Sequence, residues 1–310
     1  MAKRFGVGPY QYEVVEGWPK QPINGVAADV ALDSKGRAYV GVRNPHADGS
    51  IGNIMPGIGH ILVLNPDGSV HGNWGDKFSS PHGLWVNEQD EVFLADTGFH
   101  TITKHAPSGE VLLTLGTRGK TGSPGAPFNM PTRAKQAPNG DIFVSDGYGQ
   151  NRVHRFSSKG EHILSFGSGD PVFIQAWKGE KVTGRAGTGP CEFNLPHDVT
   201  VTNDSRVFVL DRTNNRWQEF DLQGNFVSEC LNVNGGNDIA IDKDGVFHIV
   251  SGSGVEIRKQ DGALIGRWGE KGGAPGQFAN GPHGVWIDGD GSLYIAEVGG
   301  NNRLQKFRRV

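Results

Sequence analysis

The run Pro196-His197-Asp198-Val199-Thr200-Val201, the turn at Asn203-Asp204, the run Val207-Phe208-Val209-Leu210-Asp211 and the segment Asn214-Asn215-Arg216-Trp217-Gln218-Glu219-Phe220 decide the fold. Apolar and polar residues alternate in short runs separated by turn residues, which is how half-buried strands joined by tight turns read. The same template recurs along the chain: a Pro-led alternating run, an Asn/Asp/Gly turn, a second run ending in Asp, an Asn-X-Arg stretch and a closing strand. Phe128 to Gly167 and Phe193 to Cys230 are the best copies, and Gly25 to Gly75, Phe78 to Gly116, Leu231 to Gly269 and Phe278 to Val310 are weaker ones. A period of about 40 residues with four short strands per copy is the signature of a propeller blade. The six copies predict an all-β, six-bladed β-propeller. Length alone would suggest two domains, but the repeat accounts for residues 1–310 as a single one.

The last copy ends at Phe307-Arg308-Arg309-Val310, after its third strand, which would leave a sheet edge open. Tyr10-Gln11-Tyr12-Glu13-Val14-Val15 alternates and can fill the gap, so the N-terminal strand is expected to close the ring. The 48 Gly and 17 Pro suit a chain that turns often. A net charge of −3 offers no electrostatic footprint for nucleic acid, and no run approaches the roughly 20 apolar residues of a membrane span. Cys191 and Cys230 are too few for a disulfide framework, and no secretory h-region precedes the repeat, so a cytoplasmic setting is expected.

Aligning the six strand heads brings out the chemistry. His82, His197 and His283, each after a proline, occupy the head position in copies two, four and six, while Ala28, Thr132 and Asn237 hold it in the others. In a six-bladed ring alternate blades stand about 120° apart, so three imidazoles would converge on the central channel. One such His is more often a packing residue; three in strict alternation point to zinc or a similar divalent transition ion with a coordination position left open. His60, His71, His100, His105, His154, His162 and His248 default to packing or surface roles. Residues just after a second strand return to the same face, which adds Arg43, Tyr148 and Arg212: two guanidiniums to clamp a carboxylate or oxyanion, and a phenol placed to act as general base. Asp146, Asp211, Asn151 and Asn214 read as turn formers, and Arg152 and Arg216 as strand-surface charges.

Pro81-His82-Gly83-Leu84, Ser145-Asp146-Gly147-Tyr148-Gly149-Gln150-Asn151-Arg152, Leu195-Pro196-His197-Asp198 and Leu210-Asp211-Arg212-Thr213-Asn214-Asn215-Arg216 together resemble the catalytic core of peptidyl-α-hydroxyglycine α-amidating lyase, an NHL-repeat six-bladed propeller. The resemblance runs from about Val26 to the C-terminus. It implies zinc on His82, His197 and His283, Tyr148 as the base, and Arg43 with Arg212 orienting the substrate. It also implies cleavage of an N–C bond in a carbinolamide-type substrate, giving a primary amide and glyoxylate. Departures accompany it. The family's half-cystines beside the tyrosine and around the Asp-Arg motif are absent, and Gly281-Pro282-His283-Gly284 retains only Pro-His of the family's third-histidine motif. Gly284 replaces an Asp that helps bind structural calcium in the family, which weakens the calcium expectation, and Gly281 implies a smaller pocket wall.

The same parts could instead activate water, making a metal-dependent hydrolase of a small amide or lactone the enzymatic alternative. A non-catalytic NHL propeller that binds protein or RNA is the alternative from another class, and fold alone does not choose among them. The partner expected is a small molecule carrying a carboxylate, and neither nucleic acid nor membrane. The connections Gly167 to Cys191 and Asn44 to Gly59 are expected on the histidine face, as a lid or as ordinary loops.

Overall fold

The computed structural model describes residues 3–44, 59–122, 125–167, 173–175, 180–182, 186–252, 254–279, 281–299 and 303–310. The chain is all-β, and its six large sheets are the blades of a β-propeller. Blade one consists of Val26–Leu32, Ala38–Arg43, Gly59–Leu64 and Val70–Phe78, and blade two of Pro81–Val86, Val92–Asp96, Thr101–His105 and Val111–Leu115. Blade three consists of Arg133–Gln136, Ile142–Asp146, Arg152–Phe156 and His162–Gly167, and blade four of Pro196–Val201, Val207–Asp211, Arg216–Phe220 and Phe226–Leu231. Blade five follows with Asp238–Ile241, Phe247–Ser251, Gly254–Arg258 and Leu264–Trp268. The second and third strands expected in copies three and four have these bounds. Phe78 ends the outer strand of blade one, opposite Gly59, and does not open blade two.

Blade six has five strands. Pro282–Ile287, Leu293–Glu297 and Leu304–Arg309 come from the end of the chain, and Tyr10–Val14 pairs antiparallel with the last of these, Tyr12 facing Arg309 and Val14 facing Phe307. Arg4–Val7 then pairs with Tyr10–Val14, a strand the sequence reading did not expect.

Contacts divide the chain into two compact units, residues 1–90 with 237–310, and residues 91–236. In the first, Phe5, Tyr12, Trp268, Phe278 and Phe307 share an apolar cluster, with Tyr12 stacked on Trp268 at 5.5 Å between ring centroids. A second cluster gathers Trp18, Val30, Val40, Tyr294 and Leu304. In the other unit, Phe143, Val153, Phe193, Val209 and Phe220 fill the space between blades three and four. Inward-facing positions of neighbouring strands supply these clusters, as the period-two alternation requires.

Residues 45–58 of the first long connection lie outside the described residues. So does most of the stretch from 168 to 185, apart from a short antiparallel pair, Phe173–Gln175 with Glu180–Val182. The lid expectation therefore falls outside what is described.

Candidate metal centre

His197 stands at the head of the inner strand of blade four. Register with the next strand slips there: Pro196 faces Asp211 and Asp198 faces Leu210, which leaves His197 as the extra residue of a bulge. A bulge re-aims the side chain of its extra residue. The ring is fully buried, and its Nε2 lies 2.9 Å from the Tyr148 hydroxyl. Tyr148, also buried, comes from the turn after Ile142–Asp146, and both flanking glycines are required by space. A Cβ on Gly147 would stand 2.3 Å from the Pro196 carbonyl oxygen, and one on Gly149 would stand 2.3 Å from Asn129.

The residues expected to be simple turn formers tie this region together. The Asp146 carboxylate accepts the Asn129 N–H at 2.8 Å and faces Gln150 and His154. Asn151 Oδ1 accepts the Leu195 N–H at 2.8 Å, and the Leu195 carbonyl accepts the Arg212 N–H at 3.1 Å, so the residue two before His197 is held on both sides. Asp211 accepts from Asn194 N–H, Asn214 Nδ2 and Arg216 Nε at 2.7, 2.7 and 2.8 Å. Burial pushes the Asp211 carboxyl above its ordinary value in spite of these bonds.

Arg216 corrects the sequence reading. It is buried, not a strand-surface charge, and its remaining nitrogens donate to the carbonyls of Thr188, Gly189 and Glu192 and to Glu229. Arg152, at the same repeat position in blade three, is half-buried. Arg212 opens a short 3-10 turn, Arg212–Asn214, and is half-buried; among the described residues its guanidinium has no hydrogen-bond or ion-pair partner.

In the other unit, His283 repeats the construction. Pro282 faces Glu297 and Gly284 faces Ala296, so His283 is again the extra residue of a bulge. Its Nδ1 lies 2.7 Å from the Ala28 carbonyl, which can only accept, so the proton sits on Nδ1 and Nε2 presents a lone pair. The His82 and His283 rings meet edge to face at 4.6 Å. Arg43, buried at the end of its strand, donates from Nε to the Pro81 carbonyl at 2.9 Å, directly before His82.

Gly284 follows His283 because a side chain there would collide with Asp29, whose carboxylate accepts the Leu84 N–H at 2.6 Å. Gly281 is likewise set by close backbone, since a Cβ would lie 2.6 Å from the Val298 carbonyl oxygen.

His82, His197 and His283 form a buried group whose candidate ligand atoms all lie within 4.8 Å of one another. Three imidazoles at the mouths of inner strands, one with its tautomer fixed by a backbone carbonyl, are a donor set that fits a divalent transition metal. Alternation in the sequence found these three, and the return of the second strand to the same face found Tyr148. It missed what the non-histidine heads do: Asn237 and Thr132 donate to the carbonyls of Pro282 and Pro196.

No family model matches the chain. It is 31% identical over 258 residues to NHL repeat-containing protein 3 of Homo sapiens, covering 77% of this chain and 66% of that protein. The chain is an NHL-repeat propeller. This NHL-repeat propeller is also 31% identical over 276 residues to peptidyl-alpha-hydroxyglycine alpha-amidating lyase 1 of Drosophila melanogaster, covering 80% of the chain and 48% of the fly protein. It thus spans about two thirds of the first relative and about half of the second. Among solved structures, a streptogramin B lyase superimposes with a TM-score of 0.60 over 99% of the chain and 98% of its own, at 14% identity, a likeness of fold alone.

Proposed function

We propose that this NHL propeller is a metal-dependent lyase of the amidating kind, with zinc or another divalent transition metal held by His82, His197 and His283. The observation that carries the reading is the buried three-histidine group with a tyrosine hydroxyl 2.9 Å from one of its rings. When bound, the metal would supply Lewis-acid polarisation of a substrate oxygen. The chain's own groups do the rest. Tyr148, as the base, takes the proton of the substrate hydroxyl, and the O–H pair becomes the second bond of a carbonyl. The C–N bond breaks with its pair going to nitrogen, which recovers the proton from Tyr148. The products are a primary amide and a carboxylate-bearing aldehyde.

Arg212, with its guanidinium uncommitted among the described residues, is the group to grip the substrate carboxylate. Arg43, tied through Nε to Pro81, adds its charge from a fixed position. A small-molecule partner accords with a net charge of −3, which offers nucleic acid no electrostatic footprint. The free cysteines Cys191 and Cys230 accord with a cytoplasmic setting.

Metal analysis of the purified protein followed by assay on α-hydroxyglycine derivatives tests the reading. One divalent ion per chain is expected, with sharply lower occupancy in each of His82→Ala, His197→Ala and His283→Ala. Tyr148→Phe should keep the metal and lose roughly 10²-fold or more in turnover. Full metal retention in all three histidine variants would remove the site. Turnover of lactones or simple amides with none of the carbinolamides would make the protein a hydrolase.

A further inference from the structure

We infer that Asn237, and more weakly Thr132, are positioning residues for the metal-binding histidines, acting by holding the carbonyl of the proline before each one; this rests on the three-histidine metal reading above. A proline has no N–H, so its carbonyl is the one main-chain group by which the strand head can be pinned. The histidine that follows is the unpaired residue of a bulge, where the ladder does not fix its backbone. The Pro282 carbonyl belongs to the same peptide plane as the His283 nitrogen, so whatever holds that oxygen sets the angle at which the imidazole leaves the strand.

Asn237 Nδ2 donates to it at 2.9 Å, and Asn237 is itself held through its N–H to the Val250 carbonyl at 2.8 Å. Together with the bond from His283 Nδ1 to Ala28, this gives the ring two fixed points, one at the backbone and one at the far side of the ring. In blade four, Thr132 Oγ1 lies 3.3 Å from the Pro196 carbonyl, but also 3.0 Å from the Ser145 carbonyl and 2.7 Å from Ser145 Oγ. One hydroxyl proton cannot serve both carbonyls at once, so Thr132 is the weaker support. The non-histidine heads in copies one, three and five are thus supports for the histidines of the next or preceding blade.

The experiment is competitive titration of zinc against a chelator on the intact chain, which reads metal affinity without any assay of activity. Asn237→Ala should weaken zinc binding by about 10-fold, in the range found when outer-shell partners of metal ligands are removed, and Thr132→Val by less. Asn237→Asp, which keeps the shape and removes the donor, covers the case in which the alanine variant does not fold. In a His283→Ala background, Asn237→Ala should add no further loss, because its effect runs through that ring. Unchanged affinity in the Asn237 variants, or an equal loss in both backgrounds, would overturn the inference while leaving the metal site standing. An unmodified protein that binds neither zinc nor another divalent transition metal would overturn the metal reading and this inference with it.

Discussion

Tyr148 shows how much of the candidate site depends on what neighbouring residues lack. Neither Gly147 nor Gly149 has a left-handed backbone; both are glycine because the turn runs against Pro196 on one side and Asn129 on the other. The Pro196 obstacle is a backbone oxygen, which cannot rotate away, so adding one methyl must displace either the tyrosine turn or the strand head that carries His197. Gly147→Ala is therefore expected to cost about 1–3 kcal/mol, as overpacking usually does, and to lower zinc affinity together with turnover. Gly289→Ala, where nothing lies within 4 Å of the added carbon, serves as the control and should stay within about 0.5 kcal/mol of the parent. Chemical denaturation of both variants decides it. A Gly147→Ala protein as stable as the control would mean that the turn has room to move and that Tyr148 is not held by it.

At the level of the blade, an acid at the end of the second strand and a base at the start of the third form a grip on the loop entering from the previous blade. Asp211 and Arg216 hold residues 188, 189 and 192; Glu297 and Arg303 hold 273, 274 and 277 in the same way. Blade three departs from the pattern, since Asp146 turns to Gln150 and His154, with Arg152 half-buried. This is why Arg152 and Arg216 read alike in sequence and differ in structure: the pattern gives the position, but the loop that fills the fork comes from residues 24 to 28 positions earlier. Arg216→Met should cost about 3–5 kcal/mol, the usual loss when one partner of a buried ion pair is removed, while Arg152→Met should cost under about 1 kcal/mol, as for a surface charge. Equal losses from the two would show that the buried pairing of Arg216 adds nothing to the stability of the blade.

For the molecule as a whole, the sequence was most readable where a feature repeats. Period-two alternation located strands such as Val207–Asp211, and the alternate Pro-His heads located the three histidines of the buried group, because both signals are local and occur several times. Bulges at His197 and His283, the support from Asn237, the glycine at 284 opposite Asp29 and the extra strand Arg4–Val7 were not readable, since each depends on contact between residues far apart in the chain. The pairing of the chain's two ends lies between these cases: an incomplete last copy signalled that a strand was needed, and Tyr10–Val14 occupies the edge of Leu304–Arg309. Phe5, Tyr10 and Tyr12 are buried there against Trp268, Phe278 and Phe307. Each buried aromatic side chain is worth roughly 1.5–3 kcal/mol, so deleting residues 1–16 removes a sum comparable to the roughly 5–15 kcal/mol that holds a typical domain. It would also expose the unpaired edge of Leu304–Arg309, a template for aggregation. The truncated chain is expected to lose its cooperative thermal transition and to aggregate, and a synthetic peptide spanning residues 3–16 added in trans should restore the transition in proportion to its occupancy. A truncated protein that melts like the parent without peptide would show that blade six is complete with its three C-terminal strands and that the N-terminal pair is an accessory.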